Sequence, residues 1–284
     1  MRYQFLRFPN GKSKAVTLSY DDACPQDVRF SEIISRYGLK CTFNLNSPTM
    51  RGDAALSKET VETCFLANGH EIAVHGYFHK APGIIRPIEG IRDVLECRTE
   101  LEQTYGHIIR GMAYPDSGIT NFANGTDFAR IKNYLTDLGI VYARTLGGDN
   151  NSFLLPEDWH RWMPTAHHNN PHIFDYIDEF VNLQLPATVY HAARYPRLFY
   201  LWGHSYEFDL NQNWDRLTEI CEKLAGKDDI WYATNMEIYE YVNAYNALVY
   251  SADGTMVYNP TLFTVWFDVD GKPYEIKSGE TITL

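Results

Sequence analysis

Two adjacent carboxylates, Asp21 and Asp22, close the run "LSYDD" at residues 18–22, and two histidines spaced by four, His75 and His79, follow the run "HEIAV" at residues 70–74. A third histidine, His204, ends a later apolar run, "RLFYLWGH". Two imidazoles and one carboxylate make a three-ligand set for a divalent ion with a position left open for water, the pattern of a catalytic zinc site. On a helical turn, a spacing of four places both imidazoles on one face. An ion held in this way lowers the pKa of its water to about 7 and polarises a carbonyl. A carboxylate that ligates has its charge committed and is a poor base, so a second carboxylate beside it can take the water's proton. Asp22 is assigned to the metal and Asp21 to the base, an order that the spacing alone does not fix.

The elements that must position these groups alternate along the chain. Strand-like runs fall at 15–20, 40–46, 70–75, 107–114, 140–145, 197–203 and 229–234. Helical patterns follow them: "QDVRFSEIISRYG" stopped by Gly38, "KETVETCFLANG" capped by Ser57 and stopped by Gly69, and segments near 87–105 and 127–139. "NWDRLTEICEKLAG" and a helix from Asn235 to about 246 complete the series, and an irregular stretch rich in Trp, His, Asn and Pro occupies 146–172. Strand–helix alternation means a parallel sheet. Seven such units predict an α/β fold, a distorted (β/α)7 TIM-like barrel spanning residues 1–246. Beyond 247, short alternating runs split by Asp253-Gly254 and Asp270-Gly271 predict hairpins, hence a small antiparallel β appendage over 247–284. In a parallel barrel the chemistry sits at the C-terminal strand ends. Five such ends carry competent groups: Asp21-Asp22, His75/His79, Tyr114 to Gly118, Arg144 and His204.

Bulk composition narrows the class. The 284 residues are 45% hydrophobic and 21% charged, as in a soluble globular protein with a sizeable core. A net charge of −11 without a basic run argues against nucleic acid as a partner. No apolar run is long enough to span a membrane, and the N-terminal residues lack the continuous apolar core of a signal peptide. The chain therefore reads as cytoplasmic, or as one whose leader has been removed. Five cysteines, an odd number without a CxxC, read as buried free thiols. Aromatics at 14% suit a surface that stacks on sugar rings as well as a core. His167 and His168 read as loop surface, Glu207 as a surface acid or a hydrogen-bonder to sugar, and Trp159, Trp162 and Trp231 as core or lid. Oligomeric state is not legible.

Ser19-Tyr20-Asp21-Asp22, His75-Gly76-Tyr77-Phe78-His79, the proline-containing strand end and the late strand ending in histidine resemble the NodB-type polysaccharide deacetylases, carbohydrate esterase family 4. The resemblance covers about residues 12–240. It implies a distorted barrel of fewer than eight units, a first aspartate acting as base, and a second aspartate and two histidines holding the metal. These roles fall on Asp21, Asp22, His75 and His79. His204, in Leu201-Trp202-Gly203-His204, would protonate the leaving amine. The chain departs from the family pattern in three places. Gly76 stands where the family has Ser or Thr. The third motif, Ala113-Tyr114-Pro115-Asp116, lacks the arginine that braces the base, and Arg144 is the replacement expected from another strand end, Arg110 being mid-strand. The fourth motif, Asp-x-x-Asp-Trp, has no clear match, Asp158-Trp159 being too distant. The backbone N–H of Asp116 is expected at the oxyanion, and Tyr114, Pro115 and Trp202 at the substrate. Zinc suits the ligands, and cobalt, nickel, manganese or iron also fit. The implied reaction removes N-acetyl groups from amino-sugar oligo- or polysaccharides. The competing readings are an O-acetyl esterase or small-molecule amidase on the same metal, and a catalytically silent carbohydrate-binding barrel.

Overall fold

The strand Lys14–Asp21 (β2) is buried along its whole length, as a central parallel strand covered on both sides must be. The computed structural model describes residues 2–147, 149–184 and 194–284. In chain order its other strands are β1 (Gln4–Arg7), β3 (Cys41–Leu45), β4 (Glu71–Val74), β5 (Gly111–Ala113), β6 (Tyr142–Arg144), β7 (Ala166–His167), β8 (Arg197–Gly203), β9 (Ile230–Tyr232), β10 (Val249–Tyr250), β11 (Met256–Tyr258), β12 (Val265–Val269), β13 (Lys272–Ile276) and β14 (Thr281–Thr283). The helices used below are α1 (Gln26–Arg36), α2 (Pro87–Tyr105), α3 (Phe128–Asp137), α4 (Ile173–Asn182), α5 (Tyr206–Leu210), α6 (Trp214–Leu224) and α7 (Asn235–Asn246).

The parallel strands run in the order β6-β5-β4-β3-β2-β8-β7, with β9 also on β2. β8 pairs with β2 over Lys14–Tyr20. β3 pairs with Leu18–Asp21 and β9 with Lys14–Val16, so the two share the opposite edge. The segment 162–168 then bridges the sheet's two ends. Trp162 donates its N–H to Ala143 O of β6 at 3.1 Å, and Thr165 and His168 donate theirs to Tyr200 and Trp202 of β8 at 2.8 and 2.9 Å. The seven expected strands are all present in a curled, distorted (β/α)7-type barrel. The stretch read as irregular contributes the further short strand β7, too brief to leave a periodic signal.

The amphipathic helices seal the outside of this sheet, α3 capped by Asp127 and α7 by Thr234 with Glu237 in a capping box. Thr234, the residue before Asn235, makes that cap. Both Asp-Gly pairs lie at hairpins, β10–β11 and β12–β13. β1, unread from sequence, pairs antiparallel with β12, so a C-terminal sheet takes an edge strand from the N terminus. Tyr241 of α7 ties that sheet to the barrel: its hydroxyl receives the Trp266 N–H and donates to Arg7 O, both at 2.9 Å. Among the described residues, no helix is long and apolar enough to cross a membrane.

Candidate metal centre

Consecutive residues of a strand point to opposite faces, so adjacent aspartates need a break to face one site. Asp21 is the last residue of β2, paired in register with Asn44. Asp22 then turns to φ +82 and Ala23 to φ +51. Left-handed backbone at a residue other than glycine costs of order 1–3 kcal/mol, and aspartate tolerates it better than most. That kink lets both carboxylates meet the same histidine: His75 Nε2 is 3.8 Å from Asp21 Oδ2 and 3.6 Å from Asp22 Oδ1.

The four-residue histidine spacing works through a turn, not the helical turn expected. His75 follows β4 and donates its N–H to Leu45 O. Gly76 takes φ +81 and His79 φ +52, which brings His79 Nε2 to 3.3 Å from Asp22 Oδ1. Asp93 of α2 holds the turn, accepting the Phe78 N–H at 2.6 Å. A Cβ at Gly76 would lie 2.6 Å from Asp93 Oδ2, which explains the absence of the family's Ser or Thr. Gly76→Ser is therefore expected to lower stability by about 1–3 kcal/mol, read from the denaturant midpoint; an unchanged midpoint would show that Asp93 yields freely.

Two side-chain clusters among the described residues could hold an ion, Asp22/His75/His79 and His167/His204/Glu207. Tautomers separate them. The other nitrogen of a ligating imidazole normally donates to a carbonyl or carboxylate. His75 Nδ1 lies 3.0 Å from Ala113 O, which can only accept, so Nε2 keeps its lone pair for a metal. The distances from Asp22 Oδ1 to the two imidazoles, 3.6 and 3.3 Å, match the roughly 3.4 Å between ligands on a tetrahedral ion with bonds near 2.0–2.1 Å. In the second cluster His167 Nδ1 accepts the Asn169 N–H at 3.1 Å, which leaves the proton on Nε2, facing Glu207 at 3.2 Å. Asn169 Nδ2 and His204 Nδ1 also reach Glu207, at 2.8 and 3.0 Å. The donor chemistry fits a divalent ion in the first cluster and a hydrogen-bonded carboxylate hub in the second.

The remaining groups surround this centre. Arg144, fully buried at the end of β6, reaches across to pair with Asp21 Oδ2, and the Trp202 ring covers its guanidinium at 4.4 Å. Asn44 donates to the other Asp21 oxygen at 2.8 Å. His204 Nε2 stands 3.8 Å from Asp22 Oδ2, its Nδ1 fixed by Glu207. Asp27 of α1 joins the loops behind both groups, accepting from the Cys24 N–H at 2.9 Å and the buried Ser205 hydroxyl at 2.6 Å. Burial pushes the Asp21 carboxyl up, but Arg144, His75 and His204 outweigh it and hold it below the usual range. Burial likewise opposes ionisation of Asp22, and the His79 hydrogen bond with His75 and His204 reverses it strongly. Burial depresses His204, and the Glu207 bond with Asp21 and Asp22 raises it on balance.

The other residues singled out from sequence differ in where they lie. Tyr114 is fully buried and donates its hydroxyl to His160 O at 2.8 Å, a better partner than solvent, so it does not reach the site. Pro115 is buried behind the histidine turn, against Gly76. Trp202 lies beside the site, committed on one face to Arg144. Asp116 is exposed at φ +52, and its own N–H meets no acceptor among the described residues. His168, expected on the surface, is fully buried between Tyr20 and Phe208. Asp27, Asp93 and Asn44 were not singled out from sequence, because their partners are remote along the chain.

Residues 9–132 match the polysaccharide deacetylase family. That span holds Asp21, Asp22, His75 and His79, with Arg144 and His204 beyond it. Among solved structures, a Mycobacterium smegmatis protein assigned to the polysaccharide deacetylases is 17% identical, with a TM-score of 0.59 over 87% of this chain and 96% of its own. The Xyl-CE4 domain of a multidomain xylanase from the hindgut metagenome of Trinervitermes trinervoides is 15% identical, with a TM-score of 0.51 over 82% and 92%. At these identities the likeness is one of fold. Comparison with curated proteins finds no match. The family match over residues 9–132 and the barrel shared with these structures make the chain similar to the polysaccharide deacetylases, with Asp21, Asp22, His75 and His79 inside the matched span.

Proposed function

We propose that this chain is a divalent-metal-dependent deacetylase of N-acetylated amino-sugar oligo- or polysaccharides, with Asp22, His75 and His79 as the metal ligands. The observation that carries the reading is the division of labour at Asp21-Asp22. One carboxylate faces both imidazoles, and the other is paired with a buried arginine and an asparagine. When bound, the ion, with zinc favoured by the ligand types, polarises the acetamide carbonyl and acidifies a water. Asp21 is the base that takes the proton of the attacking water. Arg144 keeps that carboxylate ionised and oriented, and Asn44 fixes its other oxygen. The free Asp116 N–H is the donor for the oxyanion. His204, held by Glu207 with Nε2 toward the site, gives its proton to the departing nitrogen. Residues 1–246 form the catalytic unit, and 247–284 an appendage to it.

The test is acetate release from a chitin oligosaccharide and from an O-acetylated sugar, side by side. Preferential release from the amide supports the proposal. Preferential release from the ester moves the same site to the esterase reading, and release from neither favours the silent sugar-binding barrel.

A further inference from the structure

The loops that leave β5 and β6, the strands whose ends deliver Asp116 and Arg144, border an open surface pocket of about 460 Å³. Ile119, Thr120, Thr145, Leu146, Arg161 and Met163 line it. Its size falls in the range of small-molecule sites. Arg161 immediately precedes Trp162, which bridges to Arg144, so the same backbone pairing that closes the barrel places it. Its guanidinium lies 4.1 Å from the centre of the Phe128 ring, at the first residue of α3.

In a chain of net charge −11 a cation has many carboxylates to choose from. Arg161 nevertheless makes no ion pair and no side-chain hydrogen bond among the described residues. Two acids near it in the fold, Asp158 and Asp127, are engaged elsewhere. Asp158 pairs with Lys132 at 2.6 Å and accepts the His160 N–H at 2.9 Å. Asp127 caps α3 through the Arg130 N–H at 2.8 Å. Glu157 borders the neighbouring cavity that Arg161 and Met163 also line. A guanidinium pre-oriented by stacking keeps its fork of donors for a planar anion, which carboxylates match in two-point fashion. Ile119, Leu146 and Met163 supply an apolar wall for the C–H face of a sugar ring.

We infer that this pocket is a substrate subsite for a carboxylate-bearing sugar next to the N-acetylated one, with Arg161 as its specificity-determining residue. The inference rests on the deacetylase reading and extends it to a substrate class, acidic rather than neutral N-acetylated glycans.

The test is calorimetric binding of the metal-loaded protein to a tetrasaccharide alternating glucuronic acid and N-acetylglucosamine, and to the same tetrasaccharide with its carboxylates reduced to alcohols. The wild type is expected to bind the acidic form roughly tenfold more tightly, a preference that weakens with added salt. Arg161→Ala should erase the preference while leaving affinity for the reduced form unchanged, and Arg161→Lys should restore part of it. Equal or undetectable binding of the two forms by the wild type overturns the inference, as does a preference that survives Arg161→Ala or an equal loss for both forms. Acetate release measured on the same samples reads the catalytic proposal separately. An Arg161-dependent preference without acetate would sink that proposal and leave the subsite standing.

Discussion

Asp21→Asn is expected to lower kcat/KM for acetate release by roughly 10²–10⁴-fold, the range for losing a positioned general base, while metal content stays at the wild-type level. The substitution keeps an oxygen for the Asn44 amide, which lies 2.8 Å from Asp21 Oδ1, and removes the carboxylate's ability to accept a proton. Asp22→Asn is the control, since Asp22 is the carboxylate nearest both imidazoles. It should lose metal and activity together. If Asp21→Asn emptied the site of metal while Asp22→Asn kept it, the two roles would have to be exchanged. Full activity in Asp21→Asn would place the base elsewhere.

The second large effect is expected at Arg144. Its guanidinium is fully buried against a fully buried carboxylate and beneath the Trp202 ring. Removing one partner of a buried ion pair leaves the other charge without compensation, which costs about 3–5 kcal/mol. Arg144→Met should therefore lower the stability of the folded chain by that amount in denaturant unfolding, and lower acetate release with it. The Asp21→Asn/Arg144→Met double variant should lose clearly less than the sum of the two single losses, because neither charge is then left alone. Strict additivity would mean that the pair contributes nothing as a pair and that Arg144 stabilises only through Trp202.

How much of this centre the sequence discloses follows from where the partners lie. Asp21, Asp22, His75, His79, Arg144 and His204 are legible because a parallel barrel collects its strand ends, and each of these residues stands at or just beyond one. Their mutual geometry is less so. The histidine spacing suggests a helical turn, yet the residues meet through left-handed backbone at Gly76 and His79. The groups that hold the centre in place leave almost no local signal. Asp27 meets Ser205 across 178 residues, and Asp93 meets Phe78 across 15. β1 finds its partner β12 at the far end of the chain. Glu207 reads as a surface acid until the fold folds His167, Asn169 and His204 around it. Tyr114 and Pro115 sit at a strand end and still turn into the core, since a three-residue strand such as β5 gives little indication of which neighbours face the barrel mouth.

The most direct measurement of the central claim is metal content by elemental analysis, on the wild type beside His75→Ala/His79→Ala, with acetate release from a chitin oligosaccharide followed in the same samples. The account expects about one divalent ion per wild-type chain, as for a single three-ligand site, and loss of both ion and acetate release in the double variant with the fold retained. A wild type that binds no metal after reconstitution, or a double variant that still binds metal and releases acetate, would contradict it.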